Sequence, residues 1–172
     1  MKNIILIGFM GSGKTSAAIS LSYRLRRTMV DTDKEIERLH HMTVSEIFER
    51  LGEDEFRSME TRCLERLLGR SGGEIISTGG GLPMREENRK LLKRLGTVIY
   101  LRVKPETVCT RLEADTSRPL LQGGDKEEKV KRLLETRGPF YESAADFIVD
   151  TDEKMTDSIV DEILERAGAA IR

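Results

Sequence analysis

Gly8-Phe9-Met10-Gly11-Ser12-Gly13-Lys14-Thr15 decides the fold, because it fills every fixed position of the pattern GxxxxGK[ST]. Before it stands Lys2-Asn3-Ile4-Ile5-Leu6-Ile7, whose short apolar run reads as a strand buried on both faces. After it, Ala17, Ala18, Leu21 and Leu25 recur at helical spacing. A strand, a glycine-rich turn and a helix in that order build an anion cradle. Glycines reach positive φ, so successive N–H groups can turn inward, and the positive end of the helix dipole points at the same spot. The expected ligand is a nucleoside triphosphate, with Lys14 on its outer phosphates and Mg²⁺ on the Thr15 hydroxyl. ATP is expected over GTP, since no Asn-Lys-x-Asp segment is present to read guanine.

Working outward, short apolar runs at Thr28–Val30, Glu74–Ser77, Val98–Leu101 and Phe147–Val149 read as four more strands. Between them lie helical patterns. Val44, Ile47, Phe48 and Leu51 follow i, i+3, i+4, i+7, with Thr43 and Glu46 placed as a capping box. Phe56, Met59, Cys63 and Leu67 mark a second inner stripe, and Leu91, Leu92 and Leu95 lead to a stop at Gly96. Pro105 opens a helix carrying Val108 and Leu112. Val130, Leu133 and Leu134 begin another that is expected to end at Arg137, before Gly138-Pro139. Ile159, Val160, Ile163, Leu164 and Ala167 form the stripe of a closing helix. Strands alternating with helices predict a three-layer α/β/α fold on a five-stranded parallel sheet. The 172 residues suit a single domain, 1–172. Twenty-nine Lys and Arg against 30 Asp and Glu leave a net charge of −1, which argues against a nucleic-acid partner. Cys63 and Cys109 stand in unlike contexts, so neither a disulfide framework nor a zinc site is expected. No apolar run approaches the ~18 residues of a membrane span. The expectation is a cytoplasmic monomer.

In a parallel sheet, ligands gather beyond the carboxyl ends of the strands. Asp31 and Asp33 follow the second strand. One could hold Mg²⁺ through water and the other could take a proton from a substrate hydroxyl, although Asp33 could equally cap a helix beginning at Lys34. Gly79-Gly80-Gly81 follows the third strand and suits a close approach to the main chain, or else a plain turn. Arg57 and Glu60, one turn apart and off the apolar stripe, read by themselves as an exposed ion pair. Phe48 and Phe56 suit the core or the wall of a small pocket. Residues 115–125 lack periodicity and form a candidate lid bearing Arg118, where an arginine could steady a transferring phosphoryl group. Arg137 could merely cap helix carbonyls.

Taken together these residues resemble the shikimate kinase family, of the nucleoside-monophosphate-kinase-like P-loop type. The resemblance runs from Ile4 to about Thr151. It rests on Gly8–Thr15, Asp31-Thr32-Asp33, Gly52-Glu53 with Phe56-Arg57 and Glu60, Gly79-Gly80-Gly81, Arg111 followed by Arg118-Pro119, and Arg137 with Tyr141. It implies transfer of the ATP γ-phosphoryl group to the 3-hydroxyl of shikimate. By position it implies that Gly11, Ser12, Gly13, Lys14, Thr15 and Ser16 hold the nucleotide, with Arg111 on adenine and Arg118 over the phosphates. Thr15 and Asp31 would serve Mg²⁺. Asp33 would bind the reacting hydroxyl, Arg57 and Arg137 would clamp the carboxylate, Glu60 would orient Arg57, and the amides of Gly79, Gly80 and Gly81 would meet ring hydroxyls. The substrate-binding helical region would lie at about 33–62 and the lid at about 112–125. A gluconate or nucleotide kinase, or a nucleotide-binding protein without chemistry, is the competing reading.

Overall fold

The computed structural model describes residues 1–113 and 125–168. Among them, five strands form one parallel sheet in the order β2-β3-β1-β4-β5. They are β1 Asn3–Ile7, β2 Met29–Asp31, β3 Ile75–Ser77, β4 Gly96–Arg102 and β5 Phe147–Asp150. The central strand explains the layering. Every residue of β1 is buried, and alternate side chains enter different cores. Ile4 and Leu6 meet Ala17, Ala18 and Leu21 of α1 (Lys14–Leu25) and Ile159 and Ile163 of α8 (Thr156–Ala167). Ile5 and Ile7 face the other core, with Leu64 of α4 (Glu53–Leu68), Leu92 of α5 (Glu86–Leu95) and Tyr141 of α7 (Lys126–Ala144). The three expected layers are present, and no helix among the described residues is long and apolar enough to cross a membrane.

Two helices differ from the sequence reading. α2 (Thr32–His40) starts at Thr32, and its N-cap is Asp31, whose Oδ1 accepts from the Lys34 amide at 3.1 Å. Asp33 therefore sits in the first turn and is not the N-cap. α3 (Val44–Leu51) carries the expected capping box between Thr43 and Glu46. α7 does not stop at Arg137 but runs through Gly138 and Pro139 to Ala144. Proline removes the hydrogen bond to the carbonyl four residues back, but Glu135 is exposed, so water can solvate that carbonyl. Beyond it Tyr141 and Ala144 are buried, and the Tyr141 ring lies 5.0 Å from Tyr100 of β4. Packing on the far side holds the last turn in place. α6 (Pro105–Arg111) opens on its proline as expected, and a 3₁₀ turn at Leu82–Met84, unread in the sequence, follows the glycine triplet.

Candidate active site

The ends of β1, β2 and β3 meet at one edge of the sheet, which brings the three loops of interest together. The β1–α1 loop has the cradle geometry. Gly11 and Gly13 have φ of 77° and 91°, a region that side chains disfavour. Gly13 is the N-cap of α1 and brings no side chain to its first amides, so those amides are left for a ligand. The Lys14 ammonium donates to the carbonyls of Gly8 and Phe9 at 2.8 and 2.9 Å, folded back over the loop. Arg111 lies beside the same loop. It donates to the Gly11 carbonyl at 2.8 Å and to the Thr151 carbonyl at 2.9 Å, tying α6, the loop and the end of β5. Arg118 lies outside the described residues, as does the lid expectation apart from 112, 113 and 125.

A cavity of about 590 Å³ opens from the loop and is lined by Gly11, Gly13, Lys14, Thr15, Ser16 and Asp31, among others. A smaller one, about 80 Å³, lies next to it, between Phe48 and Phe56 on one side and Arg57, Glu60, Arg137 and the glycine triplet on the other. Ser12 is fully buried beneath the loop. The two cavities share Met10, Asp33, Val44, Gly79 and Gly80. Asp33 is the only titratable residue common to both linings among the described residues. The sequence presents Met10 only as part of the loop and Val44 only as part of a helical stripe, neither as a site residue. Met10 occupies a variable position of the phosphate loop, and Val44 is the first residue of α3, inside its capping box, so neither carries a chemical signal of its own.

The Arg57–Glu60 pair is not a surface pair. Glu60 is fully buried, and its Oε2 accepts from Arg57 at 2.8 Å, while the Arg57 side chain is 13% exposed and also reaches Glu53 at 3.1 Å. Glu60 Oε1 is buried with no hydrogen-bond partner among the described residues. Burial pushes the Glu60 carboxyl up to about 7. Neighbouring Asp33 pushes the same way, and Arg57 and Arg137 pull back. A carboxyl with a raised pKa binds its proton more tightly when folded than when unfolded. Its contribution to stability is therefore complete below the ordinary value of 4.5 and declines as the pH climbs toward 7. Glu60→Gln, which cannot titrate, is expected to remove this decline. Urea unfolding of both proteins across pH 4–8 checks it: the stability of wild type relative to the variant should fall steadily through that window, and a constant difference would mean Glu60 keeps an ordinary pKa.

The glycine triplet makes close approaches, and the approaching groups are charged side chains. None of the three has positive φ. A Cβ at Gly79 would lie 2.6 Å from Asp33 Oδ1 and 3.0 Å from Glu60 Oε1, and one at Gly81 would lie 2.5 Å from Arg57 Cζ. At Gly80 the nearest atom, Arg137 Nη1, would be at 3.5 Å. One expectation changes. The Gly79 amide donates to the buried Thr32 hydroxyl at 3.0 Å, tying β3 to the start of α2, so it does not face a ligand. Gly80 and Gly81 remain to present N–H groups. Arg137, expected at a helix end, is mid-helix and 6% exposed, with its guanidinium 5.8 Å from the centre of the Phe9 ring.

Comparison with known proteins agrees with this geometry. The family model described as Shikimate kinase matches residues 10–167. A shikimate kinase of Pelotomaculum thermopropionicum is 44% identical over 164 residues, spanning 95% of this chain and 94% of its own. One of Thermodesulfovibrio yellowstonii is 41% identical over 165 residues, spanning 96% and 94%. The solved shikimate kinase from Acinetobacter baumannii in complex with shikimate is similar with a TM-score of 0.93 at 37% identity, covering 98% of this chain and 94% of that one.

Proposed function

The chain belongs to the shikimate kinase family, enzymes that transfer the terminal phosphoryl group of ATP to the 3-hydroxyl of shikimate, and from that premise we propose how its residues divide the reaction. The observation that carries the division is the place of Asp33, at the junction of the phosphate-loop cavity and the smaller cavity lined by arginines. ATP occupies the first, with its phosphates on the amides of Gly11 to Ser16 and on Lys14. Shikimate occupies the second. Its carboxylate lies between Arg57 and Arg137, its ring lies against Phe48 and Phe56, and its hydroxyls face Asp33 and the Gly80 and Gly81 amides. Asp33 accepts the proton of the 3-hydroxyl as that oxygen bonds to phosphorus and the bond to the departing ADP breaks. Lys14 leaves the carbonyls of its own loop for the phosphate oxygens. Arg118 is assigned to the transferring phosphoryl group.

Magnesium fits the remaining oxygens. Thr15 and Asp31 line the same cavity, both are hard ligands, and Asp31 spends only one oxygen on its cap. Such an ion keeps several waters and leans on phosphates, so two protein oxygens suffice. Bound there, it would neutralise charge on the phosphates. The same reading makes the chain a cytoplasmic monomer with one kinase domain, whose substrate region is 33–62.

A coupled ADP-release assay tests the division. With magnesium and ATP the wild type should release ADP on shikimate and not on gluconate or nucleoside monophosphates. Arg57→Ala should raise the shikimate KM by more than about tenfold, because hydrogen bonds between ions are worth about 1.5–3 kcal/mol and each 1.4 kcal/mol is tenfold. An unchanged KM would remove Arg57 from the clamp.

A further inference from the structure

Tyr141 is the largest fully buried side chain among the described residues, and it lines neither cavity. It nonetheless touches both halves of the shikimate site. Its hydroxyl donates to the Gly80 carbonyl at 2.5 Å, across 61 positions of sequence. Arg137 stands one turn earlier on α7, and its Nη1 would lie 3.5 Å from a Cβ built on the same Gly80, so guanidinium and phenol converge on one peptide. One phenol thus stands beside the arginine assigned to the carboxylate and holds the peptide assigned to the ring hydroxyls. Phe9 behind Arg137 and Tyr100 beside the Tyr141 ring leave the pair little room. Burial pushes the phenol up to about 12, so it keeps its proton and remains a donor to Gly80 at any working pH.

We infer that Tyr141 is a positioning residue for shikimate: its hydroxyl pins Arg137 to Gly80, so that the carboxylate clamp and the triplet amides stand at a fixed spacing before the substrate arrives. The inference deepens the proposed division of the site and rests on the reading of Arg137 as part of the clamp. It also accounts for α7 continuing through Pro139. The turn beyond the proline brings Tyr141 under the triplet, and a helix that stopped at Arg137 would leave the guanidinium without its pin. Preorganised groups bind more tightly because less order must be imposed on binding.

The test is a cycle of Tyr141→Phe, Arg137→Ala and the double variant, with the Michaelis constants for shikimate and ATP, the turnover number and thermal unfolding measured for each. Tyr141→Phe conserves volume and removes one oxygen, so the fold should survive. The expected result is a shikimate KM raised about tenfold, with the ATP KM and the turnover at saturation both changed less than about threefold. In the double variant the shikimate KM should be no higher than in Arg137→Ala, because Tyr141 acts through that arginine. A Tyr141→Phe variant with lowered thermal stability and an unchanged shikimate KM would overturn the inference and leave a merely structural hydrogen bond. So would effects that multiply in the double variant. An Arg137→Ala variant that binds shikimate normally would instead remove the clamp itself, a failure of the reading beneath and visible in that single variant.

Discussion

Asp33→Ala should lower turnover by about two to four orders of magnitude, the usual range for removing a general acid or base, while leaving the ATP affinity within about twofold. The reasoning is geometric. Asp33 lines both cavities, which on the proposed division puts it between the substrate hydroxyl on one side and the phosphates on the other. It belongs to the first turn of α2, and that turn is fixed twice: Asp31 caps it, and the Thr32 hydroxyl accepts from the Gly79 amide. Removing the carboxylate leaves this frame intact. The nucleotide contacts assigned to the β1–α1 loop do not pass through Asp33, which is why binding and turnover should separate. Turnover at saturating shikimate, set beside a direct titration of the nucleotide, checks the separation. If Asp33→Ala turned over like the wild type, the proton would have to leave by another route and the assignment would fall. If ATP affinity collapsed with turnover, Asp33 would be part of the phosphate site. Asp33→Asn adds a graded case. It keeps the shape and can still hold the hydroxyl, but it cannot take the proton, so it should bind shikimate well and remain slow.

Much of this could be read from the sequence, for a specific reason. The phosphate loop is a local device: glycine spacing, a buried strand and a following helix lie within about twenty residues, so Gly8–Thr15 carries its own context. Arg57 and Glu60 show the opposite case. Helical spacing placed them one turn apart but off the apolar stripe, which for most helices means solvent. The structure buries Glu60 completely because the glycine triplet and α2 close over that flank of α4, a contact between segments far apart in the chain. α7 runs past the point where the sequence predicts its end, because Gly-Pro is a strong local stop signal and the packing of Tyr141 and Ala144 that overrides it is not local. Three consecutive glycines suggest an open main chain, and the resemblance implies that the Gly79 amide serves the substrate. That the amide is already held by Thr32, 47 positions earlier, depends on the pairing of β2 with β3.

Gly81→Ala should cost the enzyme its grip on shikimate, a loss of about a hundredfold or more in kcat/KM, with little loss of fold. The added Cβ would fall 2.5 Å from Arg57 Cζ, inside the guanidinium. Something must move, and the guanidinium is the softest group present, since it ends a flexible side chain while Gly81 belongs to a buried turn that continues into Leu82–Met84. Arg57 cannot slide freely, because Glu60 holds one nitrogen at 2.8 Å and Glu53 another at 3.1 Å. The displaced guanidinium loses at least one of these bonds and its alignment with a carboxylate in the cavity. Two charge-assisted bonds misplaced at about 1.5–3 kcal/mol each set the hundredfold scale. Gly80→Ala is the internal control. Its Cβ would meet Arg137 Nη1 at 3.5 Å, an ordinary contact, so a variant one residue away should keep most of its activity. Gly79→Ala, pressing on Asp33 and Glu60, should instead act on turnover. The three substitutions add the same methyl group to consecutive residues and differ in what it meets: Asp33 and Glu60 at Gly79, the Arg57 guanidinium at Gly81, and nothing that must move at Gly80. Steady-state kinetics on all three, with melting temperatures alongside, would test that ordering. Equal effects at Gly80 and Gly81 would mean that the backbone, and not the guanidinium, yields to the new carbon.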